Sequence, residues 1–120
     1  MVTLDLFHNT DRWQAYHAGD AIFRVGDRGD RMYVVLEGKV RLSASGRELE
    51  LLGPGGVFGE IALIDSGPRS ADAVAVSDCR VVPIDESWFK FLVQQTPFFS
   101  LQIMRVMAER LRRTTADQAP

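Results

Sequence analysis

Short apolar runs, each cut off within a few residues by a glycine-bearing turn, constrain this chain more than any other feature. From Trp13 onward, stretches rich in valine, leucine and aromatic residues are punctuated by Ala18-Gly19-Asp20, Gly26-Asp27-Arg28-Gly29-Asp30, Glu37-Gly38, Ser45-Gly46 and Gly53-Pro54-Gly55-Gly56. Runs of this length suit strands rather than helices, and turns this close join neighbouring strands. Val40 and Leu42 alternate with Lys39, Arg41 and Ser43, while Leu49 and Leu51 alternate with Glu48 and Glu50, so these strands are predicted to have one wet face. Met32 to Leu36 is apolar throughout, as expected of a strand buried on both faces in the middle of two packed sheets. About eight such strands predict a sandwich or jelly roll rather than a simple open sheet.

The chain has 120 residues, room for one domain that buries roughly two-thirds of the surface its unfolded form exposes. A hydrophobic content of 46% against 25% charged residues fits a folded soluble protein and excludes a disordered one. A formal charge of −2 argues against a surface built to neutralise nucleic-acid phosphates, so an anionic partner should be small and locally held. Cys79 is single and sits among Ala75, Val76, Val81 and Val82, which predicts a buried thiol and no disulfide framework. His8 and His17 lack the spacing of metal ligands, and no metal or cofactor is expected. There is no basic flank leading into an apolar run, and nothing near the roughly 18 apolar residues of a membrane span; a cytoplasmic location is expected.

The pattern changes at both ends. Thr3 to Asn9 reads as a short amphipathic helix. After Asp85, Trp88, Phe89, Leu92 and Val93 recur at helical spacing, and Pro97 then permits a new helix start. That second helix is predicted from about Phe98 to Arg113, with Thr114 to Pro120 a frayed tail. Leu101, Met104, Ala108 and Leu111 form an apolar stripe, widened by Ile103, Val106 and Met107, more than one side of a small barrel needs. The stripe is either packed on the barrel or the seam of a helix-to-helix homodimer. The domain, residues 1–120, divides into a β-roll over about 12–85 and C-terminal helices over about 86–114.

The most chemically loaded segment is Phe58-Gly59-Glu60-Ile61-Ala62-Leu63-Ile64-Asp65-Ser66-Gly67-Pro68-Arg69-Ser70-Ala71. It holds a glycine turn, a carboxylate, a one-turn apolar helix and an arginine. A carboxylate accepts hydrogen bonds from sugar hydroxyls, and a guanidinium grips two oxygens of a phosphodiester at about 1.5 to 3 kcal/mol per charge-assisted bond. The bland alternatives are an arginine paired with Asp65 or Asp72, and a first-turn acid favoured by the helix dipole. Gly26, Gly29 and Gly38 read as turn glycines with positive φ.

These residues carry a resemblance. Ala21 to Val40, with Gly26-Asp27-Arg28-Gly29-Asp30 and Glu37-Gly38, resembles the first signature of the cyclic nucleotide-binding domain family, and Phe58 to Ala75 resembles the second, its phosphate-binding cassette. The resemblance implies a mainly β fold with flanking helices: a jelly roll, or double-stranded β-helix, with a short N-terminal helix, a cassette helix and two C-terminal helices. It implies a non-enzymatic sensor that binds cAMP or cGMP and closes its last helix over the base. Arg69 would hold the phosphate, with the amides of Ala62 and Ser70 and the Ser70 hydroxyl; Glu60, after Gly59, would take the ribose hydroxyl. Ala71 belongs to the same cassette, and Ile61, Leu63 and Val74 would line the apolar part. Ala73, small where many relatives carry valine, would leave the pocket roomier. Met104, Arg105 and Arg112 are candidate lid residues, with Arg113 alongside.

The same resemblance implies an effector protein in trans, or a homodimer through the last helix, and no membrane partner. The chain stops where a catabolite-activator-type regulator would begin its helix-turn-helix, so DNA binding is not expected. The alternatives are an interaction module that keeps the fold without ligand, or a truncated relative of such a regulator. A metal-dependent jelly-roll enzyme would need clustered histidines and carboxylates, which the sequence does not supply.

Overall fold

The computed structural model describes residue 7 and residues 10–118, with side chains through residue 114. The short helix expected over Thr3 to Asn9, and His8, lie outside the described residues. Phe7 is buried and meets Trp88 edge-on at 5.5 Å between ring centroids.

Two four-stranded antiparallel sheets face each other. The first is ordered β1 (Gln14–Tyr16), β8 (Cys79–Asp85), β3 (Arg31–Glu37), β6 (Val57–Phe58). The second is ordered β2 (Ala21–Phe23), β7 (Asp72–Ala75), β4 (Val40–Ala44), β5 (Arg47–Leu52). Three helices complete the chain: α1 (Glu60–Asp65), α2 (Glu86–Gln95) and α3 (Pro97–Gln118). Turn spacing predicts a sandwich or jelly roll, and the resemblance implies the jelly roll with flanking helices; the observed order of elements is the latter.

Strand β3 explains how the layers are glued. Its side chains alternate between two cores, with Met32 and Val34 on one face and Tyr33 and Val35 on the other. Tyr33 and Val35 join Phe23, Val40, Leu42, Leu52 and Phe58 inside the roll. Met32 and Val34 join Val82 and Ile84 of the neighbouring strand against Leu92, Phe99, Ile103 and Val106 of the helices. The second face of this all-apolar strand is therefore covered by helices rather than by a further sheet.

Asp85 caps α2 by accepting from the Trp88 amide at 2.8 Å. Thr96 then ends α2 by donating its backbone N–H to the Leu92 carbonyl, and Pro97 opens α3. α3 continues through Gln118, past the expected stop at Arg113, so Thr114 to Gln118 is helical rather than frayed. Its apolar residues split into two stripes. Phe99, Ile103 and Val106 are buried on the roll, Leu101, Met104 and Ala108 are exposed on another side, and Leu111 is exposed near the C-terminal end. Among the described residues no helix is long and apolar enough to cross a membrane.

Two strand-level readings are corrected. In β5, Leu52 pairs with Val40 and is buried, so Glu50 shares its inward parity and lies opposite Leu42, while Leu49 and Leu51 are left exposed. The adjacent pair Leu51-Leu52 leaves the parity undecided in sequence, and the ladder to β4 decides it. Gly29, unlike Gly26 (φ 88°) and Gly38 (φ 84°), does not have positive φ. Its role is close packing, because a β-carbon there would fall 2.3 Å from that of Ala62. Cys79 is 3% exposed, and burial pushes its thiol pKa up, as a structural cysteine requires.

Candidate ligand-binding site

At the mouth of the roll, β6 delivers the chain to Gly59, whose left-handed conformation (φ 79°, ψ 7°) turns it directly into α1. The far end of the cassette is zipped to the β2–β3 loop. The Arg69 amide donates to the Asp27 carbonyl at 2.8 Å, the Gly26 amide donates to the Arg69 carbonyl at 2.9 Å, and Arg28 pairs with Pro68 across an isolated bridge. Gly29 lies directly beneath Ala62 and the Arg69 side chain.

This framework buries two opposite charges. Among the described residues Glu60 (1% exposed) and Arg69 (4%) are the charged side chains buried to such a degree. Arg69 donates from Nη1 to the Gly59 carbonyl at 2.9 Å and from Nη2 to the Arg31 carbonyl at 2.8 Å. Its guanidinium lies 4.1 Å from the Phe23 ring centroid and 5.8 Å from that of Tyr33, a cation-π arrangement. Its Nε is buried with no hydrogen-bond partner among the described residues. Burial lowers the Arg69 pKa from its ordinary value, against the opposing pull of Tyr33, Asp30, Asp27 and Glu60. Neither acid that might have neutralised it does so. Asp72 accepts from the Val25 amide and faces Arg24, and Asp65 accepts from the Gly67 amide.

Glu60 is satisfied from the other side of the cavity. Its Oε1 accepts from Nη1 of Arg110 on α3, and Nη2 of the same guanidinium donates to the Val57 carbonyl. Arg110 also reaches Glu50, with Nε 3.0 Å and Nη2 2.9 Å from Oε2. Burial works against the Arg110 cation, but the carboxylates of Glu60 and Glu50 outweigh it and raise its pKa. α3 is thereby tied by charge to both the cassette and β5.

Glu60 and Arg69 line one cavity of about 410 Å³, within the range of small-molecule sites. Gly59, Ile61, Ala62, Ser70 and Ala71 share its wall. Phe23, Leu42 and Leu49 add apolar surface from the roll, and Met107, Leu111 and Thr114 add the wall from α3. The structure thus brings a buried cation, a buried carboxylate, a serine and an apolar wall to one place. Such a set suits a ligand with an anionic end, a hydroxyl and a flat apolar body.

Several expected site residues lie elsewhere. Leu63 points from α1 into the core beneath the helices, because it falls on the face of that single turn opposite the cavity. Ala73 is packed in the interior of the roll, and Val74, one position on, alternates to the other face of β7; neither lines the cavity. Met104, Arg105 and Arg112 are exposed and absent from the wall, since the inward face of α3 runs through Val106, Met107 and Arg110. Arg113 lines it, held by Glu50 and Glu109. Arg110 and Glu50 are what sequence reasoning missed. The signal was available: Arg110 continues the spacing of Phe99, Ile103 and Val106, which puts a cation on the buried face of the helix. Among the described residues no cluster of histidine, cysteine or acidic side chains has the arrangement of a metal site.

Comparison with known proteins agrees with this geometry. The family profile described as a cyclic nucleotide-binding domain matches residues 13–96. A CRP-like cAMP-activated global transcriptional regulator from Mycobacterium tuberculosis is 37% identical over 106 residues, covering 84% of this chain and 47% of that protein. A cAMP-dependent protein kinase regulatory subunit from Eremothecium gossypii is 38% identical over 80 residues, covering 67% of this chain and 18% of that one. The crystal structure of Thermus thermophilus catabolite activator protein superposes with a TM-score of 0.80 at 38% identity, over 88% of this chain and 52% of that chain. The match spans less than half the length of that Mycobacterium tuberculosis regulator and of the Thermus thermophilus cyclic AMP receptor protein, 47% in each.

Gly59 supplies a direct check on the geometry. A β-carbon there would lie 2.7 Å from Arg69 Nη1, in a backbone conformation that L-residues adopt at a cost of about 1 to 2 kcal/mol. Gly59→Ala should therefore lower the unfolding free energy by about 1 to 3 kcal/mol in urea titration. An unchanged midpoint would contradict the packing described.

Proposed function

The chain belongs to the cyclic nucleotide-binding domain family, and we propose that it is a sensor that binds a cyclic nucleoside monophosphate, cAMP or cGMP, and reports its presence through α3. The observation that carries this reading is the buried guanidinium of Arg69, which has no carboxylate partner among the described residues and faces the same cavity as Glu60. A desolvated cation held by two carbonyls is a ready counter-charge for a singly charged phosphodiester. In this reading the Ser70 hydroxyl and the amides of Ala62 and Ser70 complete the phosphate contacts. Glu60 accepts the ribose 2′-hydroxyl, and the base lies against Ile61, Met107 and Leu111. The ligand is bound and released unchanged.

The output follows from Arg110. A ribose hydroxyl arriving at Glu60 meets the carboxylate that already anchors α3, so occupancy alters the energy of the helix position. Only the difference in ligand affinity between helix positions is transmitted. The exposed stripe of Leu101, Met104 and Ala108, spaced three and four apart as in a coiled-coil seam, offers the surface that changes. Its partner is a second copy of the chain or an effector protein.

A second reading, a module that keeps the fold without binding ligand, draws on the fact that Arg110 already satisfies Glu60. Isothermal titration with cAMP, cGMP and a linear nucleoside monophosphate separates the two. The sensor shows saturable heat with a cyclic ligand, and the module shows none. Given such binding, Arg69→Ala should weaken it by about 2 to 5 kcal/mol while the fold persists; unaltered affinity would refute the phosphate assignment. Glu60→Gln should lose less overall and should narrow the preference for ribose over 2′-deoxyribose ligands. Equal discrimination in the mutant counts against the hydroxyl assignment. Sedimentation velocity should show a dimer that Leu101→Glu with Met104→Glu converts to monomer; a wild-type monomer with and without ligand rules out the helix seam.

A further inference from the structure

Glu50 breaks the pattern of its own strand. It is an acid on the inward face of β5, opposite Leu42 and two residues before the buried Leu52, while leucines occupy the exposed face. Its side chain is 10% exposed, against 54% for Glu48 on the same strand. A carboxylate largely withdrawn from solvent, in a place that an apolar residue would fill more cheaply, is a mark of a functional position. Both of its oxygens are engaged by α3. Oε2 faces Arg110 and Oε1 accepts from Arg113 Nη2 at 3.1 Å, with Glu109 closing the cluster at 2.9 Å. These contacts join the edge of the second sheet to the helix that walls the cavity, without involving any bound molecule.

We propose that Glu50 is a positioning residue: a latch that holds α3 against the mouth of the roll and so sets how much of the protein has its cavity walled before ligand arrives. Arg110 is the shared element. With its Nε and Nη2 fixed by Glu50, its Nη1 is directed onto Glu60, so loosening the latch also loosens the group that meets the ribose site. A ligand that needs the walled form binds more weakly in proportion as that form is depleted. Only this consequence for affinity rests on the cyclic nucleotide reading; the latch itself does not.

The test is hydrogen exchange of the intact chain without nucleotide, for wild type, Glu50→Gln and Arg113→Gln, with Glu86→Gln as an exposed-acid control. Replacing charge-assisted bonds by neutral ones of about half the strength should speed exchange at residues 106–114 by about tenfold. Exchange in β3 and β8 should stay at the wild-type rate. The double variant should add little to Glu50→Gln alone, because that substitution already removes the carboxylate that Arg113 shares with Arg110. If wild type binds a cyclic nucleotide, Glu50→Gln should weaken that binding by a similar factor. Unchanged exchange in α3 overturns the latch, and so does acceleration spread equally over β3 and β8, which would make Glu50 a residue of the fold. Faster α3 exchange in a protein that binds no cyclic nucleotide upholds the latch and removes the sensor reading instead.

Discussion

A carboxylate as deeply buried as Glu60 needs a compensating cation, and the source of that cation organises the structure. It comes from α3, through Arg110, and not from Arg69 a few residues further along the same segment. One guanidinium therefore closes a circuit between cassette, β6 and β5, and fixes where the last helix lies. Arg69 is left to satisfy its own burial on two backbone carbonyls and an aromatic face.

This division of charge matters more for specificity than for stability. Buried ion pairs recover their desolvation cost only with good geometry, and apolar residues of the same size would often hold the fold as well. The core supplies the cohesion: β3 contributes side chains to both the interior of the roll and the layer beneath the helices. On that scaffold the charged groups are positioned rather than stabilising. The same logic explains why the glycines at 29 and 59 are needed, since each gives up a β-carbon to let the Arg69 side chain pack.

Much of this was legible in the sequence. Turn spacing and period-two alternation narrowed the fold to a sandwich or jelly roll, and the unbroken apolar run at Met32 to Leu36 marked the strand covered on both faces. The segment from Gly59 to Ala71 marked one wall of the cavity. What escaped was tertiary. Leu51-Leu52 allowed either parity, and the pairing of Leu52 with Val40 turned Glu50 inward. The lid was sought at Met104, Arg105 and Arg112, but these are exposed and the cavity is met by Met107, Arg110, Leu111 and Thr114. Which of two stripes faces the roll depends on how Phe99 and Ile103 seat beneath β3 and β8, and no local pattern encodes that.

The central claim is that Arg69 and Glu60 bind opposite polar ends of one cyclic ribose phosphate, with α3 as the wall over its base. A crystal structure of the protein grown with a cyclic nucleoside monophosphate tests this most directly. The account predicts phosphate oxygens within hydrogen-bond distance of the Arg69 guanidinium and Ser70, and the ribose hydroxyl on the Glu60 carboxylate. Density for the nucleotide outside this cavity, or inside it with the phosphate remote from Arg69, would contradict it.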